Sequence, residues 1–248
     1  MIIRKSPAEI ETMREAGRIT AAALRVVGEH VGPGVTTAEL DRLAHEVIRD
    51  AGAVPAFLGY HGFPASICTS LNRQVVHGIP GKTRVQAGDI LSIDIGAICD
   101  GYYGDMARTF AVGPVSELAS RLMDATRRAL EAGIAACEPG RHLYDVSNAV
   151  QTVAEDAGFS VVREYVGHGI GQAMHEEPNV PNYGPAGKGP VLKEGMVFAI
   201  EPMVNAGGAA VESLDDGWTV VTQDGSLSAH FEHTVAVTSV GPLILTAE

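Results

Sequence analysis

The chain has little cysteine, few aromatic residues and a shortage of basic side chains. Its 248 residues include three cysteines, 5% aromatic residues, and 18 Lys and Arg against 30 Asp and Glu, which gives a formal net charge of −12. Three widely spaced cysteines form neither a disulfide framework nor a paired-cysteine zinc motif. Scattered basic residues lack the positive patch of a nucleic-acid-binding protein, so we expect no DNA partner.

Long apolar runs are also missing from the sequence. None approaches the ~20 residues that a helix needs to cross a bilayer. The first residues enter a helical pattern without the apolar core of a signal peptide, so we expect a cytoplasmic protein with no membrane contact. With 46% hydrophobic residues, the chain is long enough to bury a sizeable core.

Capping boxes predict where helices begin. Ser6 with Glu9, and Thr36 with Glu39, each precede an apolar stripe at helical spacing. A second helix pair is predicted over about 116–137 and 143–157. Strand patterns follow each pair, over about 54–112 and 161–238, and the last of them reads as a single strand over 227–238.

Short sequences recur at a nearly constant distance along the chain. The Pro-Gly at 33–34 recurs at 139–140 and the Asp-Ala-Gly at 50–52 recurs at 156–158, both at an offset of 106, while 87–94 recurs at 194–201 at an offset of 107. We therefore predict an α+β fold with pseudo-two-fold symmetry, in which helix pairs cover one face of a curved antiparallel sheet. It would form one catalytic domain over 1–248, duplicated as roughly 1–113 and 114–248, with its site on the concave face.

Carboxylates stand at equivalent places in the two repeats. Asp94 and Glu201 follow apolar strand residues, and each is followed by another strand that carries Asp105 or Glu232. A turn at 99–101 puts Asp94 and Asp105 directly opposite if its loop is 99–100, or diagonal on one face if its loop is 100–101. Either register brings these side chains within roughly 5–8 Å. Like charges so close, on apolar strands, predict that a cation lies between them.

Histidines extend this acidic set. His168 lies between two glycines, which let a ligand or backbone approach closely. Four carboxylates and one imidazole form an oxygen-rich set of ligands. Such a set suits Mn, Fe or Co, unlike the all-thiolate set of a zinc site. Two such ions ~3.5–4 Å apart can activate water and polarise a carbonyl group. His77 and His175 lie in Gly- and Pro-rich segments typical of catalytic loops, and His230 shares the face of Glu232 and could reach the surroundings of the metals.

The order of these residues carries a resemblance to a family. Five positions match the metal ligands of the pita-bread-fold metallopeptidases: Asp94, Asp105, His168, Glu201 and Glu232. The segments 59–64 and 76–80 narrow the resemblance to the type I methionine aminopeptidases, over essentially the whole chain. The resemblance implies removal of the initiator methionine from nascent proteins when the second residue is small. It also implies two divalent metal ions per chain, drawn from Co, Mn, Fe and Zn.

The resemblance also implies roles for individual residues. His77 and His175 would contact the substrate, with His175 near the scissile carbonyl, and Glu201 would move protons as well as bind metal. The methionine side chain would lie against Tyr60, Phe63, Cys68, Met174 and Trp218.

Four positions depart from the residues common in that family. Phe63 stands in place of tyrosine, Met174 in place of phenylalanine, His230 in place of glutamine and Gln172 in place of arginine. None is among the five expected ligands. The departures therefore bear on the shape of the pocket and the surroundings of the metals.

Two other functions stay open at this point. One is a proline-specific aminopeptidase or dipeptidase of the same fold, although such enzymes generally carry an extra N-terminal domain. The other is a non-catalytic binding protein that has lost its metals, against which the presence of all five ligand residues argues. For the favoured function we expect a monomer that acts on the N-termini of nascent polypeptides, with transient ribosome contact as an open question.

Overall fold

The structure, a computed structural model, describes residues 1–247. Its four long helices are α1 (Pro7–Glu29), α2 (Thr37–Asp50), α3 (Glu117–Ala136) and α4 (Leu143–Asp156). The two expected capping boxes are confirmed at the starts of α1 and α2, where Ser6 and Thr36 accept hydrogen bonds from the backbone N–H groups of Glu9 and Glu39. Within 1–247, no helix is long and apolar enough to cross a membrane.

Strands make up most of the remaining regular structure. They are β1 (Val54–Pro55), β2 (Ile67–Leu71), β3 (Gln74–Val76), β4 (Ile90–Cys99), β5 (Tyr102–Ala111), β6 (Ser160–Val161), β7 (Gly167–Gly169), β8 (Glu176–Val180), β9 (Val197–Ile200), β10 (Met203–Asn205), β11 (Val211–Ser213), β12 (Val220–Thr222), β13 (Ser228–His230), β14 (Glu232–Thr238) and β15 (Gly241–Ile244).

The strands form one large antiparallel sheet and two small ones. The main sheet has nine strands in the order β1-β4-β5-β14-β9-β7-β8, with β2 also paired to β4 and β15 to β14. The smaller sheets have the orders β13-β10-β6 and β11-β12-β3. Because β5 pairs with β14, the strands of the two sequence repeats meet at the centre of the main sheet.

Strand alternation separates an apolar face from a polar face. On β4, the fully buried Ile93 and Ile95 belong to the core formed with α1 and α2, so the intervening Asp94 points to the other face. On the second side, Ile200 of β9 packs in the core formed with α3 and α4, next to Glu201. The helices therefore cover one face, and the carboxylates line the other.

The sequence repeat corresponds to a repeat of local structure. Gly34 and Gly140 have positive φ angles of 93° and 88°, and they donate backbone hydrogen bonds to the carbonyls of Val85 and Leu192. The two glycines are 106 residues apart and the two acceptor residues 107 residues apart, as the sequence offsets predict. The expected α+β architecture with pseudo-two-fold symmetry is confirmed.

One strand prediction is wrong. The segment 227–238 is two strands, because the chain leaves one sheet and enters another at Phe231. β13 pairs with β10 in a small sheet, while β14 pairs with β5, β9 and β15 in the main one. The break places His230 and Glu232 on either side of this crossing, next to the carboxylates of β4 and β5.

Candidate active site and metal centre

A row of paired residues crosses the main sheet on the face opposite the helices. Asp94 lies opposite Cys68 of β2 on one side and Ala107 of β5 on the other. Ala107 in turn lies opposite Glu232 of β14. Because directly paired residues point to the same face, Cys68, Asp94 and Glu232 all face the same space.

The turn between β4 and β5 decides the register of the two aspartates. Asp100 and Gly101 have φ angles of 48° and 80°, the left-handed pair typical of a two-residue hairpin loop. Asp105 therefore pairs with Gly96, and Asp94 is its diagonal neighbour, as the second of the two registers predicts. Thr234 holds this strand, since its Oγ1 accepts from the Asp105 N–H at 3.0 Å and donates to the Asp105 carbonyl at 2.8 Å.

His168 reaches the same space from β7, where it pairs with Ala199 of β9. Its neighbours Gly167 and Gly169 have no room for a Cβ atom, which would collide with the carbonyl oxygens of Ala199 and Glu177. The imidazole Nδ1 is 2.9 Å from the Gly169 carbonyl oxygen, which can only accept a hydrogen bond. Nδ1 therefore carries the proton, and the lone pair of Nε2 is free to bind a metal.

Two groups of potential ligand atoms share one carboxylate. Asp105, His168 and Glu232 form the first group, and Glu201, His230 and Glu232 form the second, with all ligand atoms of a group within 4.8 Å of one another. Nε2 of His168 lies 3.5 Å from Oε1 of Glu201 and 3.9 Å from Oδ2 of Asp105. Atoms bound to one ion at about 2.0–2.2 Å lie roughly 3–4 Å apart, so these separations suit metal ligands.

The electrostatics of the site favour a bound cation. Burial, reinforced by the neighbouring acidic groups, raises the pKa values of Asp94, Glu201 and Glu232 well above the ordinary range. Among the described residues, one oxygen each of Asp94, Asp105 and Glu232 is buried without a hydrogen-bond partner. Because buried acceptors without partners are costly, this donor set fits divalent metal ions well.

All twelve site residues predicted from the sequence line one cavity of about 220 Å³. They are His77, His175, Glu201, Tyr60, Phe63, Cys68, Met174, Trp218, Asp94, Asp105, His168 and Glu232. The structure adds Phe57 and His61 to the lining, neither of which is among the predicted site residues. The individual roles of the twelve stay predictions.

One wall of the cavity is apolar. Phe63, Cys68 and Met174 are 4–5% exposed and pack in one cluster with Phe57. The rings of Phe63 and Trp218 meet edge to face, with their centroids 5.0 Å apart. Because Cys68 pairs directly with Asp94, the apolar wall lies immediately beside the row of carboxylates.

Two further imidazoles border the cavity. The Tyr60 hydroxyl lies 2.7 Å from Nδ1 of His175, a contact that sequence spacing did not reveal because 115 residues separate the pair. Burial and the nearby His61 lower the pKa of His175, which favours the neutral imidazole. His77 has a φ of 60° and packs edge to face on Tyr165, and burial followed by the effect of His175 lowers its pKa to about 4.

A buried ion pair supports the segment that carries His175. Lys5 Nζ lies 2.6 Å from Oε2 of Glu176, and these side chains are only 3% and 8% exposed. The other oxygen of Glu176 accepts hydrogen bonds from the backbone N–H groups of Gln172 and Ala173. Gln172, one of the four departures from the family, donates to the Tyr102 hydroxyl at 3.1 Å. It therefore helps to hold this segment and does not line the cavity.

Comparison with known proteins agrees with this geometry. The model of metallopeptidase family M24 matches residues 11–239. Methionine aminopeptidase 1 of Bacillus subtilis (strain 168) is 53% identical over 246 residues, which cover 99% of both chains. The crystal structure of methionine aminopeptidase from Rickettsia prowazekii superposes with a TM-score of 0.98 at 47% identity, and the match covers 100% of each chain.

Proline-specific relatives are more distant. A prolidase from Pyrococcus furiosus shares the fold with a TM-score of 0.80, but it is 25% identical and the match covers only 66% of its length. The proline-specific alternative is therefore not favoured. The chain belongs to metallopeptidase family M24 and, within that family, to the methionine aminopeptidases.

Proposed function

We propose that this chain removes an N-terminal methionine from polypeptides whose second residue is small, using two divalent metal ions. One observation carries the proposal: four carboxylates and His168 face the same cavity as the apolar wall of Phe63, Cys68 and Met174. An apolar pocket beside a metal centre suits a substrate that presents an unbranched thioether side chain next to its first peptide bond.

Five residues would hold the ions: Asp94, Asp105, His168, Glu201 and Glu232. When bound, two divalent ions activate a water molecule and polarise the scissile carbonyl. The ions are drawn from Co, Mn, Fe and Zn, because oxygen-rich sites with one imidazole bind several of these metals.

The remaining steps fall to side chains of the cavity. In the tautomer in which the Tyr60 hydroxyl donates to Nδ1, the Nε2–H of His175 would donate a hydrogen bond to the carbonyl oxygen as negative charge develops there. Glu201 would take a proton from the attacking water and deliver it to the leaving amine. His77, held by Tyr165 and Trp218, would position the substrate backbone.

The same proposal extends to organisation and setting. We propose one catalytic domain over residues 1–248, duplicated as roughly 1–113 and 114–248, because the glycine turns and the starts of α2 and α4 recur at the same offset. We expect it to act as a cytoplasmic monomer on nascent N-termini, and transient ribosome contact stays an open question. The acidic net charge of −12 favours neither DNA nor anionic membranes as partners.

A peptide assay with metal analysis tests the function. We expect the protein loaded with Mn or Co under anaerobic conditions to cleave Met-Ala-Ser after methionine and to leave Ala-Pro-Ala intact. Cleavage of Ala-Pro-Ala in preference to Met-Ala-Ser would favour the proline-specific alternative. No cleavage of either peptide by fully loaded protein would favour the binding-protein alternative.

A substitution separates the two roles of Glu201. We expect Glu201→Gln to lower kcat by about 10²–10⁴-fold, the range that general acid–base catalysis contributes, with a smaller loss of metal binding. Isothermal titration with Mn measures the second quantity. Equal losses of turnover and metal binding would leave Glu201 with the ligand role alone.

A further inference from the structure

We propose that His230 is a sixth metal-binding residue, whose Nε2 binds the ion held by Glu201 and Glu232. The inference rests on the two-metal function proposed above and adds a residue to it. At this position the resemblance leads one to expect glutamine, so the assignment concerns this chain rather than its family.

The position of the imidazole carries the proposal. His230 is 1% exposed, and its Nε2 lies 3.6 Å from Oε2 of Glu201 and 3.9 Å from Oε2 of Glu232. Both distances exceed the roughly 2.7–3.2 Å of an N–H···O hydrogen bond. They match the roughly 3–4 Å between atoms that bind one ion at about 2.0–2.2 Å.

Nε2 of His230 has no hydrogen-bond partner anywhere in residues 1–247. An imidazole nitrogen buried without a partner is costly, and its neighbours here are carboxylate oxygens rather than a donor. A cation between Nε2 and the two carboxylates satisfies all three groups at once. Nε2 of His168 likewise faces two carboxylates, those of Asp105 and Glu201.

The backbone of His230 is fixed in place. Its N–H donates to Oγ1 of Thr109 at 2.9 Å, and its carbonyl accepts from the same hydroxyl at 2.9 Å. Oγ1 of Thr109 also contacts Oγ of Ser92 at 2.8 Å, which ties β13 to β4 and β5. The backbone that carries the imidazole is therefore fixed where Nε2 faces Glu201 and Glu232, as a metal ligand requires.

With His230, the set of ligands contains two imidazoles. Nε2 of His168 lies near Asp105 and Glu201, and Nε2 of His230 lies near Glu201 and Glu232. Adding an imidazole to this oxygen-rich set shifts its preference from Mn towards Fe, Co or Zn. The proposal therefore predicts a metal preference as well as a ligand residue.

X-ray absorption of the cobalt-loaded holoenzyme tests the assignment, because it counts imidazole ligands without using activity. We expect about one imidazole per cobalt ion in the wild type and about half that number in His230→Gln. Calorimetric titration with Co should show a dissociation constant for one of the two ions weakened by about 10–100-fold or more.

Controls make each outcome decisive. His233→Gln changes a histidine on the opposite face, bonded to Thr246, and should alter neither the imidazole count nor the affinity. An unchanged imidazole count in His230→Gln overturns the proposal, even with weaker affinity, because His230 would then only orient Glu201. A wild-type count near one half per cobalt also overturns it, and this result does not depend on any variant folding; His230→Asn provides a second variant.

The test is independent of the proposed function. Met-Ala-Ser cleavage is measured on the same cobalt-loaded wild-type sample. Loss of the imidazole in His230→Gln together with an inactive wild type would leave the ligand assignment standing and remove the function. An active wild type with an unchanged imidazole count in the variant would do the reverse.

Discussion

The two proposed halves of the molecule share a scaffold but contribute different chemistry. The segment between α2 and β4 contributes the apolar side chains Tyr60, Phe63 and Cys68. The equivalent segment between α4 and β9 contributes the imidazoles of His168 and His175. Carboxylates come equally from both, through the β4–β5 pair and the β9–β14 pair.

This difference suggests how a duplicated fold forms an asymmetric site. Strands that meet at the centre of the sheet keep equivalent carboxylates, because both repeats bury their helix-facing side chains and leave the opposite face free. The connecting segments are not tied to this alternation and diverge. Of the two connecting segments, we therefore expect changes in the one from the second half to affect turnover most, and changes in the pocket wall to affect specificity.

The largest expected effect concerns the contact that joins the halves. Lys5 of the N-terminal segment pairs with Glu176, next to His175, with both side chains buried. Lys5→Met leaves Glu176 buried without its cation, so we expect the free energy of unfolding to fall by about 3–5 kcal/mol. Urea denaturation of the metal-loaded protein measures the loss.

An exposed ion pair provides the matched control. Arg18 pairs with Glu15 at 2.6 Å, but their side chains are 64% and 47% exposed. Arg18→Met should therefore change the free energy of unfolding by about 0–1 kcal/mol. Similar losses for both variants would show that the buried Lys5–Glu176 pair stabilises the fold no more than an exposed ion pair does.

The next effect tests whether the second half carries turnover. His175→Ala removes the proposed hydrogen-bond donor to the carbonyl oxygen, so we expect kcat to fall by about 10²–10³-fold. KM should change little, because the donor acts mainly on the developing charge. Steady-state kinetics on Met-Ala-Ser measure both, with His30→Ala on the exposed end of α1 as control. An unchanged kcat would assign His175 a structural role.

Sequence patterns predicted the parts of this site that depend on local rules. Strand alternation around Asp94 and the short turn at 99–101 are enough to predict that Asp94 and Asp105 lie close together on one face of the sheet, as the structure shows. The capping boxes located α1 and α2 for the same reason. What the local patterns left undecided was the register, because they allowed either loop at 99–101.

Long-range contacts had no sequence signal. Lys5 and Glu176 are 171 residues apart, and the Tyr60 contact to His175 spans 115, so no periodicity connects them. The division of 227–238 at Phe231 also depends on tertiary pairing, since both pieces have strand composition and differ only in the sheet they join. It is this break that brings His230 against Glu201.

A smaller effect concerns the pocket wall, which comes mostly from the first half. One methylene in an apolar pocket contributes about 1–3 kcal/mol, so a norleucine peptide should be cleaved at a reduced but measurable kcat/KM. A glutamate at the first position should be rejected far more strongly, because its charge would be buried without a partner. We compare Met-, norleucine-, Leu- and Glu-Ala-Ser peptides.

Met174 sharpens this test, because it is the wall residue that the second half contributes next to His175. Its flexible side chain should tolerate slightly bulkier substrates, and Met174→Phe should narrow the range without lowering kcat for Met-Ala-Ser. Efficient cleavage of the Glu peptide, or a Leu peptide outperforming Met, would remove both the pocket assignment and the methionine specificity.

The smallest effect compares equivalent helix caps. Thr36 begins α2 and its Oγ1 accepts from the Glu39 N–H at 3.2 Å, whereas the equivalent His142 begins α4 with its Nδ1 3.0 Å from the Gly189 carbonyl oxygen. Thr36→Ala should lower the free energy of unfolding by about 1 kcal/mol, whereas Thr36→Ser, which keeps the capping oxygen, should leave it nearly unchanged.

His142→Ala completes the comparison. It removes a hydrogen bond at the surface but retains the bonds that the Asp145 carboxylate accepts from the N–H groups of His142 and Gly187. We therefore expect a smaller loss than for Thr36→Ala, because water replaces an exposed hydrogen bond at little cost. Thermal and urea denaturation of the three variants measure the order. An equal loss for His142→Ala would show that the second half depends on its cap as much as the first, despite the different side chain.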